Sequence, residues 1–268
     1  MSLFCCPKCK GSFTATKECY RCENGHVYDR AASGYVNLLP PGGKQHGDDR
    51  AMLRARREFL ESGGYETLRD SIVQTMMDLP LGVSSVILDA GCGEGYYTEA
   101  VCRAKSDTDV YGIDVSKDAV KMCDGRRMTA DFAAASVYAL PVPDDSCDLV
   151  LSVFAPFAAE EFHRVLRTDG YLISVIPDEK HLYGLKSVLY DVPYENKVAP
   201  YDVEGFSFLC AKKISFSLQL DTKEQIMSLY RMTPYCYRTG IVGQQRIEKL
   251  DRLETVAEFR ILLYQKSN

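Results

Sequence analysis

The chain has 268 residues, of which 46% are hydrophobic and 26% are charged. This composition is typical of a globular protein and excludes a disordered chain, a collagen-like fibre and a disulfide mini-protein. The formal net charge of -5 argues against a surface coated in positive charge for nucleic acid, although a local basic patch is compatible with it. The sequence shows neither a secretory signal nor an apolar run that could span a membrane. We therefore expect a cytoplasmic protein with reduced cysteines and no membrane partner.

Five of the eleven cysteines lie within the first 22 residues. Two close pairs in this region have the spacing Cys-x2-Cys-x12-Cys-x3-His, which suits the four ligands of a tetrahedral zinc ion. The predicted ligands are Cys6, Cys9, Cys22 and His26. Cys19 could replace His26 and give four thiolates. Four protein ligands close the coordination shell, so the zinc would be structural and would stabilise a segment with almost no apolar core.

The sequence pattern changes twice along the chain. Residues 1–36 are predicted to form the zinc-binding domain, and the Pro-Pro-Gly-Gly sequence within 37–49 predicts a linker. From residue 50 to 268, helix and strand patterns alternate, which predicts an α/β domain with a parallel sheet between helices. We expect helices at 50–61, 68–79, 96–104, about 156–167 and near 222–232, and strands at 86–90, 109–114, 132–136, 147–153, 171–176, 207–220 and 255–264.

A glycine-rich loop follows the first strand of the α/β domain, in the sequence Asp89-Ala90-Gly91-Cys92-Gly93-Glu94-Gly95. Glycines let the backbone turn sharply and approach a ligand, and the N-terminus of the next helix offers free N–H groups. A dinucleotide fingerprint would need its third glycine at Tyr96, so a dinucleotide is disfavoured. Asp114 ends the next strand about 20 residues further on, where an acid can accept hydrogen bonds from both hydroxyls of a ribose.

Several segments together resemble class I S-adenosylmethionine (SAM) methyltransferases. Residues 87–95 resemble their first motif, Asp114 their ribose-binding acid, and Ala135 and Ser136 the stretch beside the adenine. Residues 147–150 resemble their fourth strand, and 167–171 the turn into their fifth. The resemblance implies an α/β fold with a seven-stranded, Rossmann-like sheet whose last strand runs antiparallel.

The motifs taken together resemble a narrower family, the bacterial 23S rRNA guanine-N1 methyltransferases of the RlmA type. The matching features are the cysteine cluster, residues 34–40, Ala-Arg-Arg-Glu-Phe-Leu at 55–60, Gly64-Tyr65, the glycine loop and Met232-Thr233-Pro234. The resemblance implies SAM and a structural zinc as cofactors and a zinc ribbon that helps to recognise a 23S rRNA hairpin. The methyl acceptor would be one guanine near the peptide exit tunnel, and one branch of this family is linked to resistance to tylosin-type macrolides.

The resemblance also implies cofactor contacts from Tyr65, Gly93, Glu94 and His181. With the glycine loop and the acid after it, the predicted cofactor site comprises Tyr65, Asp89, Gly91, Gly93, Glu94, Gly95, Asp114, Ala135, Ser136 and His181.

Methylation at guanine N1 places two demands on the protein. N1 lies on the Watson–Crick edge, so the target base must be unpaired or flipped out, and its N1 proton must be removed. The sequence does not identify the group that takes the proton, for which His181, Glu160 and Asp178 are candidates. Phe154 and Phe157 follow the fourth strand and would either stack on the guanine or belong to the core.

Four arginines, Arg50, Arg54, Arg56 and Arg57, crowd one predicted helix, where they form either a solvated face or a phosphate-contacting stripe. The expected partner is a 23S rRNA hairpin and not DNA, and the sequence leaves open whether the protein forms a homodimer.

The sequence also leaves two other functions open. One is a small-molecule SAM methyltransferase that uses the ribbon for dimerisation. The other is a non-enzymatic zinc-ribbon binder of RNA or protein, against which the intact glycine loop argues.

Overall fold

The computed structural model describes residues 2–42, 47–126 and 128–267, so residues 43–46 of the predicted linker lie outside the described residues. The described chain forms two sheets, a three-stranded antiparallel sheet near the N-terminus and an eight-stranded sheet with helices around it. No helix among the described residues is long and apolar enough to cross a membrane.

The N-terminal sheet consists of β1 (Phe13–Ala15), β2 (Cys19–Cys22) and β3 (Val27–Asp29). Its interior is small: the ring of Phe13 packs edge-on against the rings of Tyr20 and Tyr28, each with a centroid distance of 5.6 Å. The segment before β1 packs on the larger sheet, because the ring of Phe4 contacts that of Tyr111 and the N–H of Cys5 donates to the carbonyl of Pro141 at 2.8 Å.

The larger sheet contains eight strands, namely β4 (Val36–Asn37), β5 (Val86–Ala90), β6 (Asp109–Asp114), β7 (Ala130–Ala134), β8 (Cys147–Val153), β9 (Leu166–Pro177), β10 (Phe206–Leu220) and β11 (Leu253–Lys266). Their order across the sheet is β10-β11-β9-β8-β5-β6-β7-β4. The pairings from β9 to β4 are parallel, and β11 runs antiparallel to both neighbours. The predicted seven-stranded sheet with an antiparallel last strand is confirmed, and the two-residue strand β4 extends its edge.

Nine α-helices lie in the described chain: α1 (Arg50–Glu61), α2 (Glu66–Met77), α3 (Tyr96–Ala104), α4 (Lys117–Met122), α5 (Ala159–Val165), α6 (Tyr183–Leu189), α7 (Lys223–Arg231), α8 (Tyr235–Arg238) and α9 (Ile241–Glu248). A 3-10 turn, Cys123–Arg126, follows α4. Asp49 caps α1 by accepting the N–H of Met52 at 2.8 Å, and Ser116 caps α4 in the same way through Ala119.

The parallel strands determine where a ligand can bind. Residues of the central strands such as Ile87, Leu88 and Leu149 are almost fully buried, as expected for strands covered on both faces. The carboxyl ends of β5 to β8 meet at one edge of the sheet, where the glycine loop, Asp114 and Phe154 follow their strands. In open α/β sheets this edge is where ligands bind.

Candidate functional site

Four potential metal ligands meet at the N-terminal sheet. The ligand atoms of Cys6, Cys9, Cys22 and His26 all lie within 4.8 Å of one another. The Nδ1 atom of His26 is 3.5 Å from the Sγ atom of Cys6 and 3.3 Å from that of Cys22, and the Sγ atoms of Cys9 and Cys22 are 3.7 Å apart. Ligands of a tetrahedral zinc lie roughly 3.5–3.8 Å from each other, given the usual Zn–S and Zn–N distances. The donor set and its spacing therefore fit zinc.

The other two N-terminal cysteines lie outside this group. The thiol of Cys19 lies 3.8 Å from the hydroxyl of Thr16, and Cys5 bridges to Ser12 in an antiparallel β-bridge. Burial opposes ionisation of Cys6, but hydrogen bonds from the Tyr28 hydroxyl and from backbone N–H groups outweigh it and lower the pKa of Cys6 to about 6. The thiolate is the form that binds zinc.

The three glycines of the loop between β5 and α3 all have positive φ angles, 88° at Gly91, 56° at Gly93 and 85° at Gly95. A Cβ atom on Gly91 would lie 2.3 Å from the Cβ of Ala155, and one on Gly95 would lie 2.7 Å from the Cε of Met128. Packing therefore requires glycine at position 91, and the positive φ angle favours glycine at position 95. At Gly93, in contrast, the nearest atom is 3.8 Å away, so this glycine faces the more open side of the loop.

Two aspartates hold the strand ends beside the loop. Asp114 accepts the N–H of Gly93 at 3.0 Å through one carboxylate oxygen and the N–H of Ser116 at 2.7 Å through the other. Each oxygen keeps a lone pair that can accept a ribose hydroxyl. Asp89 accepts the hydroxyl of Thr98 at 2.6 Å, and burial raises the pKa of Asp89 to about 7.

The carboxylate of Glu94 is occupied by two arginines. Glu94 is 1% exposed and accepts hydrogen bonds from Arg57 at 2.8 Å and from Arg126 at 2.6 Å. Arg126 also pairs with Glu99 at 2.7 Å. A carboxylate held in this way fixes the glycine loop to α1 and to the turn after α4. A cofactor contact from Glu94 would therefore have to come from its backbone.

An aromatic cluster lies at the same edge of the sheet. The ring of Tyr65 packs edge-on against that of His181 at 6.2 Å and that of Phe154 at 6.4 Å, and Phe259 contacts all three. The ring of Tyr97, on the first turn of α3, lies 6.4 Å from that of Phe154. The structure therefore places two predicted cofactor residues and one candidate stacking residue in a single cluster.

Phe154 has an unusual backbone for a bulky residue. Its φ angle is +57°, and 43% of its surface is exposed although it follows a buried strand. Such a conformation is strained for a residue with a Cβ and is found preferentially at functional sites. Phe157 lies apart from this cluster, because its ring packs against Phe162 and Tyr264.

Two polar atoms of the aromatic cluster are buried without a hydrogen-bond partner among the described residues, the hydroxyl of Tyr97 and the Nδ1 atom of His181. Unpaired buried polar atoms are costly, and a ligand that bonds to them removes this cost. Burial, aided by the positive charge of Lys186, lowers the pKa of His181 to about 3. His181 is therefore neutral at physiological pH and is a weak proton acceptor.

The other candidate bases lie in different surroundings. Asp178 pairs with Arg260 at 2.7 Å and with Lys213 at 3.3 Å. Burial raises the pKa of Asp178, but these hydrogen bonds outweigh it and lower the pKa below its usual value. Glu160 is exposed in the first turn of α5. Ala135 and Ser136 follow β7, where the N–H of Ala135 donates to the carbonyl of Asp114 at 3.0 Å.

Three of the four arginines of α1 are engaged in ion pairs within the chain. Arg50 pairs with Asp118 at 2.9 Å, Arg56 with Asp48 at 2.5 Å and Arg57 with Glu94. Arg54 is exposed and has no ion-pair partner among the described residues. Arg50, with 72% of its side chain exposed, and Arg54 face solvent, whereas Arg56 and Arg57 are half-buried. Arg126 and Tyr97 also belong to the site, although no sequence motif marks either residue.

These features, a glycine loop after β5, an acid after β6 and a ribbon-like cluster with four zinc ligands, define a zinc-containing class I methyltransferase that uses SAM. Two family models match the chain, "RlmA, N-terminal" over residues 4–46 and "Methyltransferase domain" over residues 87–170. A solved structure, a provisionally named type II methyltransferase from Anaeromyxobacter dehalogenans, covers 75% of this chain and 94% of its own at 18% identity with a TM-score of 0.51, which supports the fold alone.

Two relatives identify the family more narrowly. YxjB of Bacillus subtilis (strain 168), provisionally named a 23S rRNA (guanine-N(1)-)-methyltransferase, is 34% identical over 99% of this chain and 98% of its own length. The 23S rRNA (guanine(748)-N(1))-methyltransferase of Streptomyces fradiae is also 34% identical, over 69% of this chain and 66% of its own length. The chain belongs to the family of RlmA-type 23S rRNA guanine-N1 methyltransferases.

Proposed function

We propose that this protein transfers a methyl group from SAM to N1 of a guanine in 23S rRNA. The observation that carries the proposal is the joint presence of the zinc-ligand cluster and the methyltransferase sheet in one chain that aligns with YxjB along nearly its full length. A small-molecule methyltransferase would need only the second of these features.

The proposed cofactor site is the carboxyl edge of β5 to β7. Asp114 would accept the ribose hydroxyls, Ala135 and Ser136 would line the adenine, and the open side of Gly93 would let the ligand approach the backbone. Tyr65 and His181, which belong to the aromatic cluster, would border the reacting end of the cofactor. Bound SAM supplies an electrophilic methyl group on a sulfonium, so the protein mainly has to align the acceptor with it.

The proposed acceptor site is the exposed ring of Phe154. Aromatic side chains stack on unpaired bases, and such contacts contribute about 1–3 kcal/mol per base. The strained backbone of Phe154 projects the ring from the end of β8 toward Tyr65 and Tyr97. His181, neutral at physiological pH, would act there as a hydrogen-bond partner, and the N1 proton would leave to water.

The N-terminal sheet would provide the additional rRNA contacts. Residues 1–30 carry Lys8, Lys10, Lys17, Arg21 and Arg30 against three acidic residues, so this region is mildly basic in an acidic chain. Basic side chains neutralise phosphates and position an RNA without reading its sequence.

We infer that the substrate is a 23S rRNA hairpin near the peptide exit tunnel, methylated in the cytoplasm, and that the modification confers resistance to tylosin-type macrolides. The boundaries 1–36, 37–49 and 50–268 remain the proposed division into domains.

The test is methyl transfer from labelled SAM to protein-free, unmodified 23S rRNA, read by primer extension. A methyl group on N1 blocks Watson–Crick pairing, so reverse transcriptase should stop at one guanine only when SAM is present. Labelling without a stop would indicate another acceptor atom. The absence of labelling by a protein that binds SAM would favour a small-molecule acceptor, which free guanosine and phenolic metabolites would then test.

A further inference from the structure

An arginine–aspartate pair lies beside the glycine loop. The Nη1 atom of Arg56, on α1, is 2.5 Å from the Oδ2 atom of Asp48. The same Nη1 atom is 3.8 Å from the point that a Cβ on Gly93 would occupy. The two side chains are 27% and 30% exposed, so they are accessible to a ligand without being fully hydrated. The pair therefore borders the open side of the loop.

The charge of Arg56 reaches groups on three sides of the proposed cofactor site. It opposes the rise in pKa that burial causes at Asp114, Tyr65 and Tyr97. Asp114 is the last residue of β6, Tyr65 immediately precedes α2, and Tyr97 lies in α3. The charge of Arg56 is therefore within electrostatic range of both the ribose acid and the aromatic cluster.

Neighbouring contacts hold the pair in place. Arg57, the next residue of α1, donates to Glu94 and, at 2.8 Å, to the carbonyl of Met122. The hydroxyl of Ser116 donates to the carbonyl of Asp48 at 3.2 Å, next to the acid Asp114. The helix that carries Arg56 and the segment that carries Asp48 are thus each bonded to a wall of the cofactor site.

The pair has unused hydrogen-bonding capacity. A guanidinium group has five N–H donors in a planar fork, and the contact with Asp48 occupies one side of it. No second acceptor for Arg56 is present among the residues that the structure describes. A carboxylate can take the remaining donors of Arg56, and Asp48 keeps lone pairs for an ammonium group.

We propose that Arg56 and Asp48 bind the amino-acid end of SAM, with Arg56 on its α-carboxylate and Asp48 on its α-ammonium group. The methionyl end of SAM is a zwitterion, and a pair of opposite charges complements it in sign. The inference rests on the proposed cofactor site, but it does not depend on the rRNA substrate.

Calorimetric binding of two ligands to the full-length, zinc-loaded protein tests this assignment. S-adenosylhomocysteine carries the amino-acid end, whereas 5′-methylthioadenosine keeps the adenine, the ribose and the sulfur but lacks that end. Arg56→Gln is expected to weaken S-adenosylhomocysteine binding roughly 10- to 100-fold, the effect of losing charge-assisted hydrogen bonds. Binding of methylthioadenosine should stay within about twofold of the wild type. Arg54→Gln, an exposed arginine on the same helix, is the matched control and should change neither.

Three results would overturn the assignment. One is unchanged S-adenosylhomocysteine binding by Arg56→Gln, and another is an equal loss for both ligands, which would indicate a distorted adenosine site. The third is failure of the wild-type protein to bind S-adenosylhomocysteine, which would remove the cofactor site itself. Should Arg56→Gln fail to fold, Arg56→Lys and Asp48→Asn are expected to show the same selective loss for the ligand with the amino-acid end. A wild-type protein that binds this ligand but does not methylate rRNA counts against the proposed substrate alone.

Discussion

The ion cluster around Glu94 yields the sharpest prediction of stability. The Glu94 side chain is 1% exposed, and its carboxylate holds Arg126, 6% exposed, and Arg57, 24% exposed. Removing one partner of a buried pair costs about 3–5 kcal/mol because the other charge stays buried without compensation. Arg126 retains its contact with Glu99, and glutamine keeps the shape and can still accept a hydrogen bond. We therefore expect Glu94→Gln to lose about 2–3 kcal/mol of the free energy of unfolding.

Urea unfolding followed by far-ultraviolet circular dichroism measures this loss in a chain without tryptophan. A thermal scan should show a midpoint lowered by about 5–10 °C, given the usual relation between stability and melting temperature for domains of this size. Asp221→Asn removes the exposed pair with Arg252 and is the control, with an unchanged midpoint. A Glu94→Gln midpoint equal to that of the wild type would show that the cluster does not hold the glycine loop.

Three further results are expected. Removing zinc with a chelator should release the N-terminal sheet and abolish rRNA methylation, while S-adenosylhomocysteine binding persists. Metal analysis confirms the removal and calorimetry measures the binding. Loss of S-adenosylhomocysteine binding together with methylation would contradict this expectation. Phe154→Ala should lower rRNA methylation roughly 5- to 100-fold with cofactor binding retained, whereas Phe157→Ala should change it little, and equal effects would rule out a special role for Phe154. The pKa of His181 is lowered to about 3 in the folded chain, below the unfolded value of about 6.5. Between these two pH values the unfolded chain binds more protons than the folded chain, so the free energy of unfolding falls as the pH drops from about 6.5 toward 3. His181→Asn should weaken that dependence in urea unfolding at pH 7 and 5, and an unchanged slope would refute it.

The sequence predicted the features that depend on local order. The glycine loop lies between a strand and a helix, and Asp114 lies at the next strand end. Both positions could be predicted because each follows from a pattern only a few residues long. The cysteine spacing could be read in the same way. Helix α1 was predicted with the bounds that the structure shows, whereas the predicted strand 132–136 lies at 130–134.

The features that the sequence left unpredicted depend on distant partners. Strand β4 pairs with β7 through two residues only, and no periodicity can show in so short a segment. Arg126 meets Glu94 across 32 positions of the chain, so neither residue identifies the other. The arginines of α1 look alike in the sequence, yet Arg56 and Arg57 differ in the structure because their acidic partners come from different segments. The short helices α6, α8 and α9 lie after residue 180, where the pattern predicted only one helix.

The identity of the methylated nucleoside tests the proposed reaction directly. Unmodified 23S rRNA would be incubated with the protein and labelled SAM, digested to nucleosides and separated by chromatography with mass detection. The label is expected to co-elute with 1-methylguanosine at close to one methyl group per rRNA molecule. Label in another methylated nucleoside, or no transfer by a protein that binds SAM and zinc, would contradict it.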